Sequence, residues 1–133
     1  MELEPLVAEE VSRADFPGKV TVIVRPYPCE NRADSRKIVT ISIGSNGRFP
    51  EYDLSCTFLD FHYDCASRTI EDVNLKVKEE LQNKGLGRKL VEVMESVGRY
   101  LGCEAVKLTM NYNRPFWAHM GYQNLDGHWE KRL

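Results

Sequence analysis

Gln82-Asn83-Lys84-Gly85-Leu86-Gly87-Arg88 joins a stretch with the alternation of a strand, residues 70–77, to one with the period of a helix, residues 86–101. Two glycines one residue apart let the backbone turn tightly and let a ligand approach main-chain N–H groups with no Cβ in the way. The helix that follows directs the positive end of its dipole back at this loop. Lys84, Arg88 and Lys89 add cationic charge around it. Such a loop is suited to an anion, and the anion expected is a pyrophosphate.

Outward from the loop, the periodicity organises the rest of the chain. Leu86, Leu90, Val93, Met94, Val97 and Leu101 recur at helical spacing, with Lys89, Glu92, Glu95, Ser96 and Arg99 on the other faces and Gly102 as the stop. On the other side of the loop, Val73, Leu75 and Val77 alternate along one side of a strand. Further upstream, residues 19–25 (Val20, Val22, Val24), 38–43 and 54–63 read as three more strands. Before them, residues 4–15 suit a short helix built on Leu6, Val7, Val11 and Ala14. Downstream, residues 105–110 alternate as a strand, Pro115 opens a short helix to Met120, and residues 129–133 suit a last strand. The period thus changes from two to 3.6 at the glycine loop, which predicts an α/β fold, a mixed sheet within a single domain over residues 1–133.

Composition sets outer bounds. The 133 residues are 42% hydrophobic and 29% charged, which fits one soluble globular domain rather than a disordered or membrane-spanning chain. The formal net charge of -2 gives no global attraction to nucleic acid, so any anion site is local. No apolar run approaches the ~20 residues of a membrane span. The first ten residues carry Glu2, Glu4, Glu9 and Glu10 in place of the basic and apolar regions of a signal peptide, so a cytoplasmic location is expected. Cys29, Cys56, Cys65 and Cys103 form no Cys-x-x-Cys pair or metal-ligand spacing, and reduced, buried thiols are expected; His62, His119 and His128 are scattered.

Two familiar phosphate loops fail on named residues. A P-loop requires Lys and then Ser or Thr after its second glycine, but Gly87 is followed by Arg88-Lys89-Leu90, with no hydroxyl for Mg²⁺. A dinucleotide fingerprint requires a third glycine where Leu90 stands, and it belongs early in a parallel βαβ unit rather than after four strands. Nucleotide or RNA binding at the loop is also weakened, because the aromatics do not interleave with a basic stripe.

The C-terminal half, residues 69–133, resembles the GNAT superfamily of acyl-CoA-dependent N-acyltransferases. The family signature, Arg or Gln, two residues, Gly, one residue, Gly or Ala, is matched by Gln82 to Gly87. A second match follows, in which a strand and two asparagines (Asn111, Asn113) lead to Phe116-Trp117-Ala118-His119-Met120-Gly121-Tyr122. This is similar to the family's segment where an aromatic pair precedes a closing Gly-Phe or Gly-Tyr. The resemblance implies a central, mostly antiparallel sheet with a pyrophosphate-binding strand–loop–helix.

It also implies residue roles. Backbone N–H groups from Gln82, Asn83, Lys84, Gly85, Leu86, Gly87 and Arg88 would hold the pyrophosphate of coenzyme A, and Lys84 or Arg88 would pair with phosphate oxygens. Val77 matches the strand residue whose backbone meets the thioester carbonyl, where a fixed N–H stabilises an oxyanion. Asn111 or Asn113 would reach the pantetheine arm; the spacing to Gly121 is off by one from the commoner pattern. Glu71, six residues before Val77, stands where histone-acetylating members carry a glutamate base. Strand parity puts it on one face with Val73, Leu75 and Val77, which would desolvate it.

The chain departs from the pattern in two places. Trp117 occupies the position where many members carry a tyrosine acid, and an indole N–H donates no proton at useful pH. Trp117 is then expected in the core or against pantetheine, with Tyr112 and Tyr122 as substitute acids. Only residues 26–37 separate the first two strands, too few for the two helices that members usually place there, so the N-terminal helical region is reduced. An open acceptor side of this kind would suit a peptide or protein amine. The resemblance therefore implies an N-acetyltransferase moving an acetyl group from acetyl-CoA directly to an amine, with no nucleic acid or membrane partner. The alternative is an acyl-CoA-binding module with little turnover.

Overall fold

The computed structural model describes residues 2–28, 35–44, 57–78, 81–109, 113–125 and 127–133. Helix α1 (Leu3–Ala14) precedes four strands, β1 (Val20–Pro26), β2 (Arg36–Ile43), β3 (Thr57–Asp64) and β4 (Thr69–Lys76). Helix α2 (Leu86–Tyr100), β5 (Ala105–Leu108), helix α3 (Arg114–His119), β6 (Gln123–Leu125) and β7 (His128–Arg132) follow. Among the described residues the strands form one sheet in the order β1-β2-β3-β4-β5-β7-β6. Every pairing is antiparallel except β4 with β5. A parallel pair needs a crossover long enough to return the chain to the same end of the sheet, and α2 is that crossover.

The apolar stripe read from the sequence is the stripe that α2 buries: Leu86, Leu90, Val93, Met94 and Val97 are all nearly inaccessible. All but Leu86 join Val39 and Ile41 of β2, Leu59 and Phe61 of β3, and Leu6, Val7 and Val11 of α1 in one core. Contact is closest at Gly98, where an added Cβ would come within 2.7 Å of Leu133 Cδ1 and 2.9 Å of Ile70 Cδ1. A mid-helix glycine costs about 1 kcal/mol of helix propensity; here it lets α2 lie directly on the sheet. Among the described residues no helix is long and apolar enough to cross a membrane.

Three expectations need correction. The first is the face of Glu71. In the β3–β4 ladder His62 stands opposite Glu71 and Asp60 opposite Asn74, so Asp72 and Val73 together oppose Phe61. This is a β-bulge, with Asp72 at a left-handed φ of 51°. One extra residue inverts the alternation, so Ile70, Val73 and Leu75 pack toward the helices. Glu71 instead joins Thr69, whose Oγ1 donates to Glu71 Oε2 at 2.7 Å, on the face of His62. The second is Cys65, which is exposed in the turn before β4, whereas Cys103 is buried; Cys29 and Cys56 lie outside the described residues. The third is β6, three exposed residues that pair only with β7. Without a buried face they carry no hydrophobic alternation to read.

Candidate active site

Beside the loop, β4 and β5 share only two register positions, Thr69↔Ala105 and Ile70↔Val106. Beyond them the strands part, directly before the bulge at Asp72. Thr109 Oγ1 lies 3.4 Å from Asp72 Oδ1, linking the segment after β5 to β4. At the far end of β4 a cavity of about 620 Å³ opens, lined by Leu75 to Val77, by the 81–88 loop, and by Asn113, Phe116, His119 and Met120.

The loop is shaped as its sequence requires. Leu81 N–H donates to the Lys78 carbonyl at 2.8 Å, and the Gln82 side chain donates to the Val77 carbonyl at 3.0 Å. The first residue of the signature thus ties the start of the loop to the end of β4. Asn83 and Gly85 take left-handed φ values of 63° and 77°, a conformation that asparagine tolerates and glycine adopts freely. Gly85 is the N-cap of α2, which has no side-chain cap and no acidic residue in its first turn. The N–H groups of this turn are the ones that an α-helix cannot bond internally. They stand at the cavity wall with the positive end of the helix dipole behind them. At Gly87 an ideal Cβ would sit 3.5 Å from Phe116 Cε1 and 3.6 Å from Leu75 Cδ2, which leaves room for a methyl group and little beyond it.

Of the residues expected to bind coenzyme A, Val77, Gln82, Asn83, Gly85, Leu86, Gly87, Arg88 and Asn113 line this cavity. Lys84 is exposed and outside the lining, and Arg88 Nε is engaged by Glu92 Oε1 at 2.8 Å. Asn111 and Tyr112 lie outside the described residues. Trp117 is in the core, edge-on to Phe116 and to Tyr122 with ring centroids 5.1 Å apart in each pair. Phe116, His119 and Met120 were missed as lining residues. The signal was their i, i+3, i+4 spacing, which puts them on one face of α3 and turns Trp117 to another.

Tyr122 is no substitute acid. Its hydroxyl donates to Glu95 Oε2 at 2.8 Å inside the core. Burial first, and then the Glu95 carboxylate, push its pKa far above the ordinary phenol value. Burial likewise raises the Cys103 thiol to about 11, so it is no nucleophile. Among the described residues no group of His, Cys, Asp or Glu is arranged to hold a metal.

Glu71 lies outside the cavity lining, in a polar cluster on the other face of the sheet. There Arg36 Nε and Nη2 approach His62 Nδ1 at 3.1 and 3.0 Å, and Nη2 donates to Asp72 Oδ2 at 2.8 Å. Arginine offers only donors, so His62 Nδ1 accepts and the ring proton belongs on Nε2. Burial, then the Arg36 guanidinium, hold the His62 pKa below its ordinary value, against the opposing pull of Asp72 and Glu71. A lowered folded-state pKa means that the unfolded chain takes up the proton first, so stability present above pH 6.5 is lost as the pH falls below it. His62→Gln, which keeps an acceptor for Arg36, is expected to flatten this decline in urea titrations run across that range. An unchanged slope would assign the acid sensitivity to other groups.

The comparisons with known proteins agree with this geometry. A profile of the acetyltransferase (GNAT) family matches residues 50–122. Comparison with curated sequences gives no match. Among solved structures, Tetrahymena GCN5 is similar with a TM-score of 0.56 at 14% identity, over 72% of this chain and 68% of that one. The PaiA N-acetyltransferase of Thermoplasma acidophilum, solved with coenzyme A, gives 0.52 at 14% identity, over 74% and 62%. Nourseothricin acetyltransferase gives 0.51 at 18% identity, over 96% and 94%. These likenesses are of fold. The family profile, by contrast, spans more than half of the chain, from before β3 through the glycine loop to Tyr122, and on that match the chain belongs to the acetyltransferase (GNAT) family.

Proposed function

We propose that this protein transfers an acetyl group from acetyl-CoA directly to an amine, on a peptide, a protein or a small molecule. The observation that carries the reading is the uncapped amino end of α2 at the wall of the cavity beyond the end of β4. Fixed N–H donors and a dipole end suit a pyrophosphate, and a cavity of about 620 Å³ is the size of an ordinary ligand site. The PaiA relative was solved with coenzyme A, which supports the same ligand here.

Acetyl-CoA supplies the activated acyl group, and the chain's residues supply position and proton transfer. The first-turn N–H groups of α2 hold the pyrophosphate, and Asn113 faces the arm that runs from it toward Val77. The Val77 N–H stabilises the oxyanion formed as the amine nitrogen attacks the carbonyl carbon. The C–S bond then breaks and coenzyme A leaves as the thiolate, which takes its proton from solvent. Glu71, on the opposite face of the sheet and the first residue of β4 beyond its pairing with β5, takes the proton that the ammonium of an acceptor approaching from that face must lose before it attacks. Among the described residues direct attack is favoured because Cys103 is buried and Cys65 sits at the opposite end of β4 from the cavity.

Glu71→Gln is expected to lower kcat by about 100-fold or more, the scale of a lost general base. Its affinity for acetyl-CoA in calorimetry should not change. One observation favours the second reading, a binding module with little turnover. Trp117 is in the core and Tyr122 is tied to Glu95, so neither presents a phenol to the leaving thiolate. If wild type binds acetyl-CoA but acetylates no amine in a broad screen, Glu71→Gln has no rate to lose and the second reading stands.

A further inference from the structure

The Arg36 guanidinium touches nothing in the cavity, yet the residue is only 3% exposed. From β2 it reaches across β3 to β4, donating to His62 Nδ1 and to Asp72 Oδ2. It lies over the Tyr27 ring, 5.0 Å from the centroid, with the Asp64 carboxylate 4.0 Å away. A buried ion pair is weak evidence for stability, because desolvation offsets much of its attraction. Its contribution is better sought in the geometry that it holds.

That geometry is Asp72. Its left-handed backbone is unfavourable for a residue with a Cβ and persists only when its surroundings over-determine it. The contacts that supply that constraint are Arg36 Nη2 at 2.8 Å, His62 Nδ1 at 3.4 Å and Thr109 Oγ1 at 3.4 Å. The stakes lie further along the strand. Side chains alternate with a period of two, so the extra residue at 72 decides which face each later residue of β4 presents. With it, Leu75 stands at the cavity wall with Gly87 and Phe116, its Cδ2 3.6 Å from where a Cβ on Gly87 would lie. Were Asp72 drawn into a regular ladder, Lys76 would take that face and Leu75 would leave it.

We infer that Arg36 is a positioning residue: by clamping Asp72 it sets the phase of the end of β4, and so the shape of the acyl-CoA cavity, without touching what the cavity holds. The inference rests on the acetyl-CoA reading above. It spans three strands in a way that no local sequence pattern announces.

The test is calorimetric titration with acetyl-CoA of wild type, Arg36→Met, Asp72→Asn and the double variant, with melting temperatures measured alongside. Asparagine keeps the shape and the left-handed tolerance of Asp72 and removes only the charge. Each single variant is expected to weaken binding about tenfold, and the double variant no further, because the two residues act through one contact. Arg36→Lys should recover part of the loss. If Arg36→Met does not fold, Arg36→Lys and Asp72→Asn, alone and combined, carry the same comparison. A lower melting temperature with unchanged affinity in the folded variants would overturn the inference, as would losses that multiply in the double variant. If wild type itself does not bind acetyl-CoA, the functional reading falls and takes the inference with it.

Discussion

Replacing Gly87 by leucine is expected to weaken acetyl-CoA binding by roughly 100-fold, the loss of one or two charge-assisted hydrogen bonds at about 1.5–3 kcal/mol each. The effect is steric and local. A Cβ at this position would touch Phe116 Cε1 and Leu75 Cδ2 at ordinary contact distances of 3.5 and 3.6 Å. The remaining carbons of leucine then have only the cavity to enter, in front of the N–H groups of the α2 first turn. Alanine stops at that methyl and should lose only a few-fold. Folding should not suffer, because a glycine replaced within a helix gains up to about 1 kcal/mol of propensity. Calorimetric titration with a melting curve on the same samples separates the two effects. Binding that survives leucine at full strength would mean that the pyrophosphate is held elsewhere.

The second large effect is on stability. Glu95 of α2 is almost fully buried, with Tyr122 Oη at 2.8 Å, Lys131 Nζ at 3.0 Å and Arg99 Nη2 at 3.9 Å. Lys131 Nζ also donates to the Met120 carbonyl at 2.8 Å, closing the end of α3. Lys131→Met leaves the Glu95 carboxylate buried without its close cation. Such a change costs about 3–5 kcal/mol, and the lower end applies because Arg99 remains within reach. Adding Glu95→Gln, which retains an acceptor for Tyr122, should recover most of the loss, since a neutral amide has no charge to leave uncompensated. Urea unfolding at constant m-value checks both variants. A Lys131→Met protein as stable as wild type would show that Glu95 is held by Tyr122 and Arg99 alone.

Most of the architecture was legible because it depends on short-range periodicity. The stripe on α2, the alternation in β1 and the change of period at Gly85 each report which side of a local segment must leave water. The glycine loop was legible for a related reason: left-handed backbone and close ligand approach select residue types directly. Helix α3 was legible as a helix, but its facing was not. Phe116 and Trp117 are adjacent aromatics, and which of them meets the cavity depends on how the short helix packs against the rest of the fold.

The clearest failure was the face of Glu71. Parity along β4 assumes an unbroken ladder, and Asp72-Val73 opposite Phe61 breaks it. Nothing in residues 69–76 marks the bulge: aspartate tolerates a positive φ but does not require one, and the groups that hold it there, Arg36 and Thr109, lie 36 and 37 positions away in the chain. Tyr122 failed as an acid for the same kind of reason, because its partner Glu95 comes from α2.

The sequence by itself determined the element order apart from β6, the crossover helix and the glycine loop, because each follows from residue types at fixed local spacing. Only the tertiary structure decided which face of β4 meets the cavity, that Trp117 is core and that Phe116 is wall. It alone joined Arg36, His62 and Asp72 into one cluster. Those outcomes depend on pairing between segments distant in the chain, where one inserted residue or one buried charge reverses a side chain's direction without changing the local pattern.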